Sequence, residues 1–546
     1  MLKHSLLLLS LLCTSGLALQ AQTGIENSNV TVVSTFEARL TDAERVQVTP
    51  VPPRPDTLIV RQQYLVVDQP LSLEYPAPVI RPRGIGRQEA PPVKNGYVSI
   101  GLGVPNAFYG DLSYDLSGVD NAELGIYAKH YSFNNNGNVE NQKASDTEVG
   151  VQGTYLFDQG FAVEGGLGYE TYSRYYYGYN FAELADGEEP LSFEDDDVRQ
   201  RFGIFKVNAD IFNGTKTVAD IDYKAGFSAY IMDGDPTVRE RNIDLHVGAT
   251  KWISEDQPLD LLVRADFTTF DDTSKQTLNN FFFSPSYTTS IAGRYRLKVG
   301  LHLTAQEDDF DVFPNFSFHA PVVDGTLSAF VGWEGTLQNN SLYNLVDYNP
   351  WVSTRLRVKT AEYWRVYGGV DGTFSGIGYR LEAGYKNIDN LATYNLNYRR
   401  DIPRFDVVYD DATVVTLQAS ATVEPIEALR VNGSIAQRFY SMENLESPYH
   451  LPAFTLNLGA AYSLLEGRLT TGADFYVENG LPYLNAAGDE DNLNGLFDLS
   501  LNGSYAFNET FSGWVRVNNL LNNKRERFAQ YPTIGTNFLI GASAAF

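Results

Sequence analysis

A single cysteine, three methionines and six histidines are spread over 546 residues, and no internal stretch approaches the roughly 18 consecutive apolar residues that a membrane-spanning helix needs. The cysteine is Cys13, inside a segment expected to be removed, so the mature chain has no disulfide framework, no thiolate metal site and no cysteine nucleophile. The mature histidines, His130, His246, His302, His319 and His450, fall in different strands or loops. They show no His-x-x-x-His spacing and no local Glu of the zincin kind. No enzyme, cofactor or metal site is expected on that basis. Positive charge is scarce as well: 41 Lys and Arg against 67 Asp and Glu leave a net charge of −26, which argues against a nucleic-acid partner.

What the chain has in quantity is Tyr (34), Phe (32) and Gly (46), the residues of strands, aromatic girdles and tight turns. The carboxyl-terminal stretch from Thr536 to Phe546, TNFLIGASAAF, shows how they are arranged. Phe538, Ile540, Ala542, Ala544 and Phe546 lie on one face of an extended chain, and Asn537, Leu539, Gly541, Ser543 and Ala545 on the other. An apolar-alternating last strand with an aromatic carboxyl terminus suits a transmembrane β-barrel, whose last strand must pair with its first so that no open edge meets lipid. Phe538, Ile540 and Phe546 are therefore the expected closure and assembly residues.

Three units follow from the composition. Residues 1–21 carry Lys3 and His4, the apolar run LLLLSLLC and small residues around Ala18 and Ala21, the regions of a secretory signal peptide. Residues 22–95 hold the proline clusters TPVPPRPDT, EYPAPVIRPRG and EAPPVK, which exclude a central strand and favour a semi-rigid periplasmic linker or partial plug. Eight basic and eight acidic residues between Gln22 and Lys94 make this arm neutral, so the acidity belongs to residues 96–546.

From Gly96 onward, segments of ten to fifteen residues alternate apolar and polar side chains. In Ala219 to Ile231 the apolar face is Ala219, Ile221, Tyr223, Ala225, Phe227, Ala229 and Ile231, and Asp220, Asp222 and Lys224 oppose it. Leu259 to Thr269 and Arg468 to Glu478 repeat the pattern with Arg264, Asp266, Arg468, Asp474 and Glu478 on the polar side. Some twenty such segments with no helices to cover them exceed an open sheet or sandwich. The fold class is thus all-β: a transmembrane antiparallel β-barrel of about 22 strands (20–24) behind a Pro-rich periplasmic arm. Tight connections near Gly160, Gly214, Gly325, Gly467 and Asn508 alternate with longer ones near 134–147, 174–197, 337–350, 441–453 and 479–495. That asymmetry puts the short turns in the periplasm, and Asn339 to Asp347 suits a short helix.

The last thirty residues read VNNLLNNKRERFAQYPTIGTNFLIGASAAF. An Asn-Leu-Leu-Asn element, a basic stretch, Tyr-Pro, Gly and an alternating strand ending in Phe resemble the closing strands of TonB-dependent receptor barrels. The resemblance implies an outer-membrane receptor that imports a scarce ligand through a 22-stranded barrel with an amino-terminal plug and a TonB-contacting box. This chain departs from that pattern: 73 Pro-rich residues from Thr23 to Asn95 are too few for the plug, and no clear TonB box is visible. It looks like a plug-less relative.

The function expected is an outer-membrane barrel of this type that binds or transports a solute. The alternative is a non-transporting barrel acting as scaffold or partner of other envelope proteins. Candidate lumen-lining residues are Asp220, Asp222, Lys224, Asp244, His246, Arg264, Asp266, Arg468, Asp474 and Glu478, a net acidic set that favours cations. His246 reads as a solvated lumen histidine, and Tyr175, Tyr176, Tyr177 and Tyr179 as part of an interface girdle. The acidic runs near Glu188, Glu194, Glu307 and Asp489 read as loops bridged by divalent ions to lipopolysaccharide. Expected partners are outer-membrane lipid and lipopolysaccharide, the barrel assembly machinery and an envelope protein.

Overall fold

The computed structural model describes residues 94–116, 120–182, 189–234, 238–307, 309–399 and 401–546. The signal peptide and nearly all of the Pro-rich arm lie outside the described residues, as does the question of a plug. The rest forms one antiparallel sheet of 22 strands closed on itself. Each strand pairs with its neighbours in sequence, and the first, Gly96–Val104, pairs with the last, Asn537–Ala545, from Tyr97 opposite Ala545 to Val104 opposite Phe538. The 22 strands match the number expected. No described helix is long and apolar enough to cross a membrane.

Side-chain parity carries round the whole cylinder. Val247, Val263, Phe283, Leu303 and Val312 stand side by side on the outside, and Leu102 and Ile540 continue that band across the seam at 63 % and 62 % exposure. An exposed apolar band on every strand would be costly in water and is satisfied by hydrocarbon; the polar faces turn inward. The chain is thus a membrane-spanning barrel. Phe538, Ile540 and Phe546 all sit on its outer face at the seam, and the amide and carbonyl of Phe546 exchange hydrogen bonds with Gly96 at 2.8 and 2.7 Å.

The inner face of the seam is set by two glycines. Gly101 faces Gly541 across the pairing, and the Trp514 indole lies over both, its Nε1 donating to Ser99 Oγ at 2.9 Å. A Cβ on either glycine would come 2.3 Å from that ring. Gly541→Val is therefore expected to strain closure by about 1–3 kcal/mol, the usual range for overpacking. It should lower the temperature at which the heat-modifiable folded band disappears on a semi-native gel; an unchanged transition would mean that Trp514 does not lock the seam.

The two ends differ as expected. At the end shared with Gly96 and Phe546 the connections are short, such as Ser375–Gly376, where both residues have positive φ (50° and 80°) as a two-residue type I′ hairpin requires. At the other end lie connections 176–198, 341–358, 397–404, 443–453, 480–495 and 519–536.

Candidate functional site: a loop-built cap and the lumen beneath it

The long connections share one buried core, and 341–358 contributes a helix to it. Its short helix, Leu342–Tyr348, starts at Ser341, whose hydroxyl accepts the Asn344 amide at 3.3 Å, and stops before Asn349-Pro350, where proline forbids another turn. Leu342, Leu345 and Val346 share the buried face. The two leading amides have no partner within the helix. Leu342 N and Tyr343 N donate instead to the Glu240 carboxylate at 2.6 and 3.1 Å, and Tyr230 Oη donates to it at 2.8 Å. Glu240 is fully buried on the inner wall, and a carboxylate at a helix amino terminus is well placed electrostatically. Alongside, Lys206 Nζ reaches Tyr343 Oη at 3.1 Å and Glu170 at 2.6 Å. The helix is pinned to the inside of the barrel.

Beyond the helix, connections hundreds of residues apart share one aromatic core. Trp351 stacks on Tyr531 with centroids 4.3 Å apart, Tyr177 meets Tyr531 edge-on at 5.1 Å, and Phe405 and Phe528 flank His450 at 4.9 and 5.9 Å. The aromatic polar atoms of the core find backbone acceptors: Tyr531 Oη donates to Pro403 O at 2.5 Å, Tyr177 Oη to Pro532 O at 3.0 Å, Tyr348 Oη to His450 O at 2.9 Å, and Trp351 Nε1 to Tyr175 O at 3.1 Å. Arg527 Nε meets the buried Glu478 carboxylate at 3.0 Å. The result is a cap across the mouth of the barrel. Tyr176, Tyr177 and Tyr179 belong to this core rather than to an interface girdle; the strand ends at Tyr175, and the chain beyond it turns inward.

Below the cap, strand parity places Asp222, Lys224, Asp244, His246, Arg264 and Asp266 on one inner face, and Asp474 and Glu478 on another. His246 is not merely solvated: its Nε2 lies 2.7 Å from Asp210 Oδ1 and its Nδ1 3.6 Å from Asp244. Arg264 bridges Asp244 and Asp266, the latter at 3.2 Å, and Lys224 stands 3.5 Å from Asp210. Asp222 accepts from Trp252 Nε1 at 2.7 Å. Two candidates sit elsewhere. Asp220 is a turn residue at positive φ, ion-paired to Lys216 at 2.9 Å, and Arg468 ends the turn after Leu464; each lies one residue before its strand begins, at Ile221 and Leu469.

A second ionic ladder joins Glu334 and Arg365 at 2.7 Å, Arg380 and Glu382 at 2.8 Å, and Arg380, His319 and Asp371 at 3.2 Å. The even-odd rule puts these residues on the inner face of their strands, but which acid meets which base depends on the register between strands.

Two adjoining cavities, of about 660 and 380 Å³, lie between the tucked connection and the wall. Tyr131, Asp146, Arg174 and Pro350 line both. Tyr109, Tyr172 and Tyr343, with Lys129, Glu148, Glu170, Asp347 and Arg516, complete the larger. Among the described residues, no group of three or more His, Cys, Asp or Glu is placed to hold a metal ion.

The chain has the barrel fold of a TonB-dependent receptor. It aligns with the FrpB iron transporter from Neisseria meningitidis at TM-score 0.64 and 10% identity, over 83% of this chain and 82% of that one. The ferripyoverdine receptor of the outer membrane of Pseudomonas aeruginosa aligns at TM-score 0.62 and 11% identity, over 84% and 72%. The ferric-catecholate import receptor Fiu of Escherichia coli K12 aligns at TM-score 0.62 and 12% identity, over 83% and 82%. No family model matches the sequence, and no curated protein does. At these identities the likeness is one of fold.

The barrel was legible in the strands, and the cap was not. Its signal was the concentration of Tyr, Trp, Phe and Pro at loop positions 176–179, 348–351, 402–405, 448–452 and 528–532. Solvated loops do not need such residues.

Proposed function

We propose that this protein is an outer-membrane barrel that binds a small polar solute and lets it pass between the tucked helix and the wall, with the loop-built cap as gate. The observation that carries this reading is the pair of adjoining cavities beside Pro350. A lining of tyrosines with charges of both signs suits a polar ligand of a few hundred daltons, since ligand pockets usually measure about 300–1,000 Å³. The chelate cargoes named for the ferripyoverdine and ferric-catecholate receptors are an analogy of fold. The partners proposed with it are outer-membrane lipid and lipopolysaccharide around the apolar band, and the assembly machinery reading the strand that ends at Phe546.

The density of the cap favours a second reading, a sealed barrel that serves as scaffold for an envelope protein, with residues 22–95 as its periplasmic handle. Solute flux into proteoliposomes, measured for the full chain and for one lacking residues 23–95, separates the two. Flux in either form supports passage. A barrel silent in both forms, and still silent once its cap is released, leaves the scaffold.

A further inference from the structure

His450 occupies the centre of the cap and is the one imidazole there. It is 1 % exposed, lies nearly parallel to Phe528 (17°), and meets Phe405 edge-on (81°). Both ring nitrogens are committed, in opposite senses. Nδ1 faces the Tyr394 carbonyl at 2.6 Å and must carry the proton; Nε2 faces the Ala529 amide at 3.3 Å and must accept. Those two bonds join the end of the strand Ile377–Leu396 to the terminal connection 519–536, while the His450 backbone holds Tyr348 of the helix and its amide donates to Pro482 O at 2.8 Å. Four separate pieces of chain meet at this residue.

We propose that His450 is a proton-sensitive latch: taking up a proton at Nε2 sets two donors against each other at Ala529 and releases the cap. The step is proton binding alone and needs no co-reactant. Burial among apolar rings pushes this imidazole down to about 4, and the bond to the Tyr394 carbonyl opposes that only in part. The sign follows. The buried form resists protonation and the released form takes it up readily, so the closed cap holds above the ordinary imidazole value of 6.5 and weakens as pH falls from there toward 4.

Charged groups on the elements packed around it are Arg527, held by Glu478 at 3.0 Å, Glu526 next to it, Asp347 on the helix, Arg404 beside Phe405, Glu446 in the His450 connection, Asp410, which accepts the Asn444 and Leu445 amides of that connection at 2.9 and 2.8 Å, and Glu490, which accepts from its Ser447 at 2.8 Å. Tyr348, Tyr394, Tyr483 and Tyr531 complete the surroundings and stay neutral in this range. Among these carboxyls Glu526 is the one that burial pushes up, toward the same pH range. Protonating it removes a charge, however, and its second oxygen already accepts the Gln530 amide at 2.9 Å, a bond that a neutral carboxyl keeps.

The inference rests on the gate reading, and its test reads the cap rather than flux. Amide exchange in nanodiscs, corrected for intrinsic pH dependence, would be followed for 443–453, 480–484 and 526–531. With imidazole values of 6.5 released and about 4 closed, opening should increase about 30-fold between pH 7.5 and 5. His450→Gln offers one donor and one acceptor without titrating and should abolish the increase, whereas Glu526→Gln should leave it intact. The histidine NMR signals of the unaltered protein supply a readout that needs no variant. A His450 signal titrating near 6.5 with the cap still protected, or a His450→Gln barrel that opens with acid as before, overturns the latch. A barrel that never passes solute would leave these outcomes readable.

Discussion

Excising the tucked connection should turn a nearly silent barrel into a conducting one. Asn340 and Lys359 are already opposite each other in the hairpin pairing, so an Asn-Gly turn can replace residues 341–358 without moving either strand. The excision removes Leu342, Leu345, Val346, Val352, Leu356 and Val358 from the shared core and takes Trp351 away from Tyr531. A 22-stranded cylinder without its filling is wider than a porin, so single-channel conductance in planar bilayers should rise by at least about tenfold. The open pore should prefer cations, because Asp210, Asp222, Asp244 and Asp266 outnumber the two fixed cations of that face, Lys224 and Arg264, and Asp244→Asn should weaken that preference. Unchanged conductance would show that this connection does not seal the mouth.

The second large effect is expected from one buried carboxylate. Glu240→Ala leaves the amides of Leu342 and Tyr343 and the Tyr230 hydroxyl without their acceptor in a dry site. At about 1–3 kcal/mol for each orphaned buried group, the tucked helix should lose about 3–5 kcal/mol of anchorage, on the order of 100-fold or more in its release. Glu240→Gln keeps one acceptor oxygen and should lose less. Amide exchange of 341–358 would quicken in both, in that order, while the heat-modifiable transition of the barrel stays put because the strand ladder at Glu240 is untouched. A barrel transition that falls together with the helix would mean that Glu240 supports the wall and not the cap.

These expectations depend on contacts that no stretch of chain announces by itself. The helix at Leu342–Tyr348 was legible from its polar start and the Asn-Pro stop, but its anchor lies 102 residues earlier, at Glu240, in a strand where it reads as one more polar lumen position. Asp210 is hidden for a similar reason. It faces His246 only because two hairpins bring their inner faces together, and the alternation within either strand cannot say which carboxylate meets which base. The acidic surplus was visible, and the pairing that neutralises part of it was not. Arg468 and Asp220 show the opposite error: alternation was extended one residue past each strand, into turns whose backbone has left the pleat.

By itself the sequence determined the cylinder, because a two-residue period marks which side chains meet lipid, and lipid leaves the backbone no choice but to close from Gly96 to Phe546. The tertiary structure alone decided whether the cylinder stands open. Loops obey no period, and a tyrosine at position 177 can serve an interface or a core equally well until Tyr531, 354 residues away, arrives beside it.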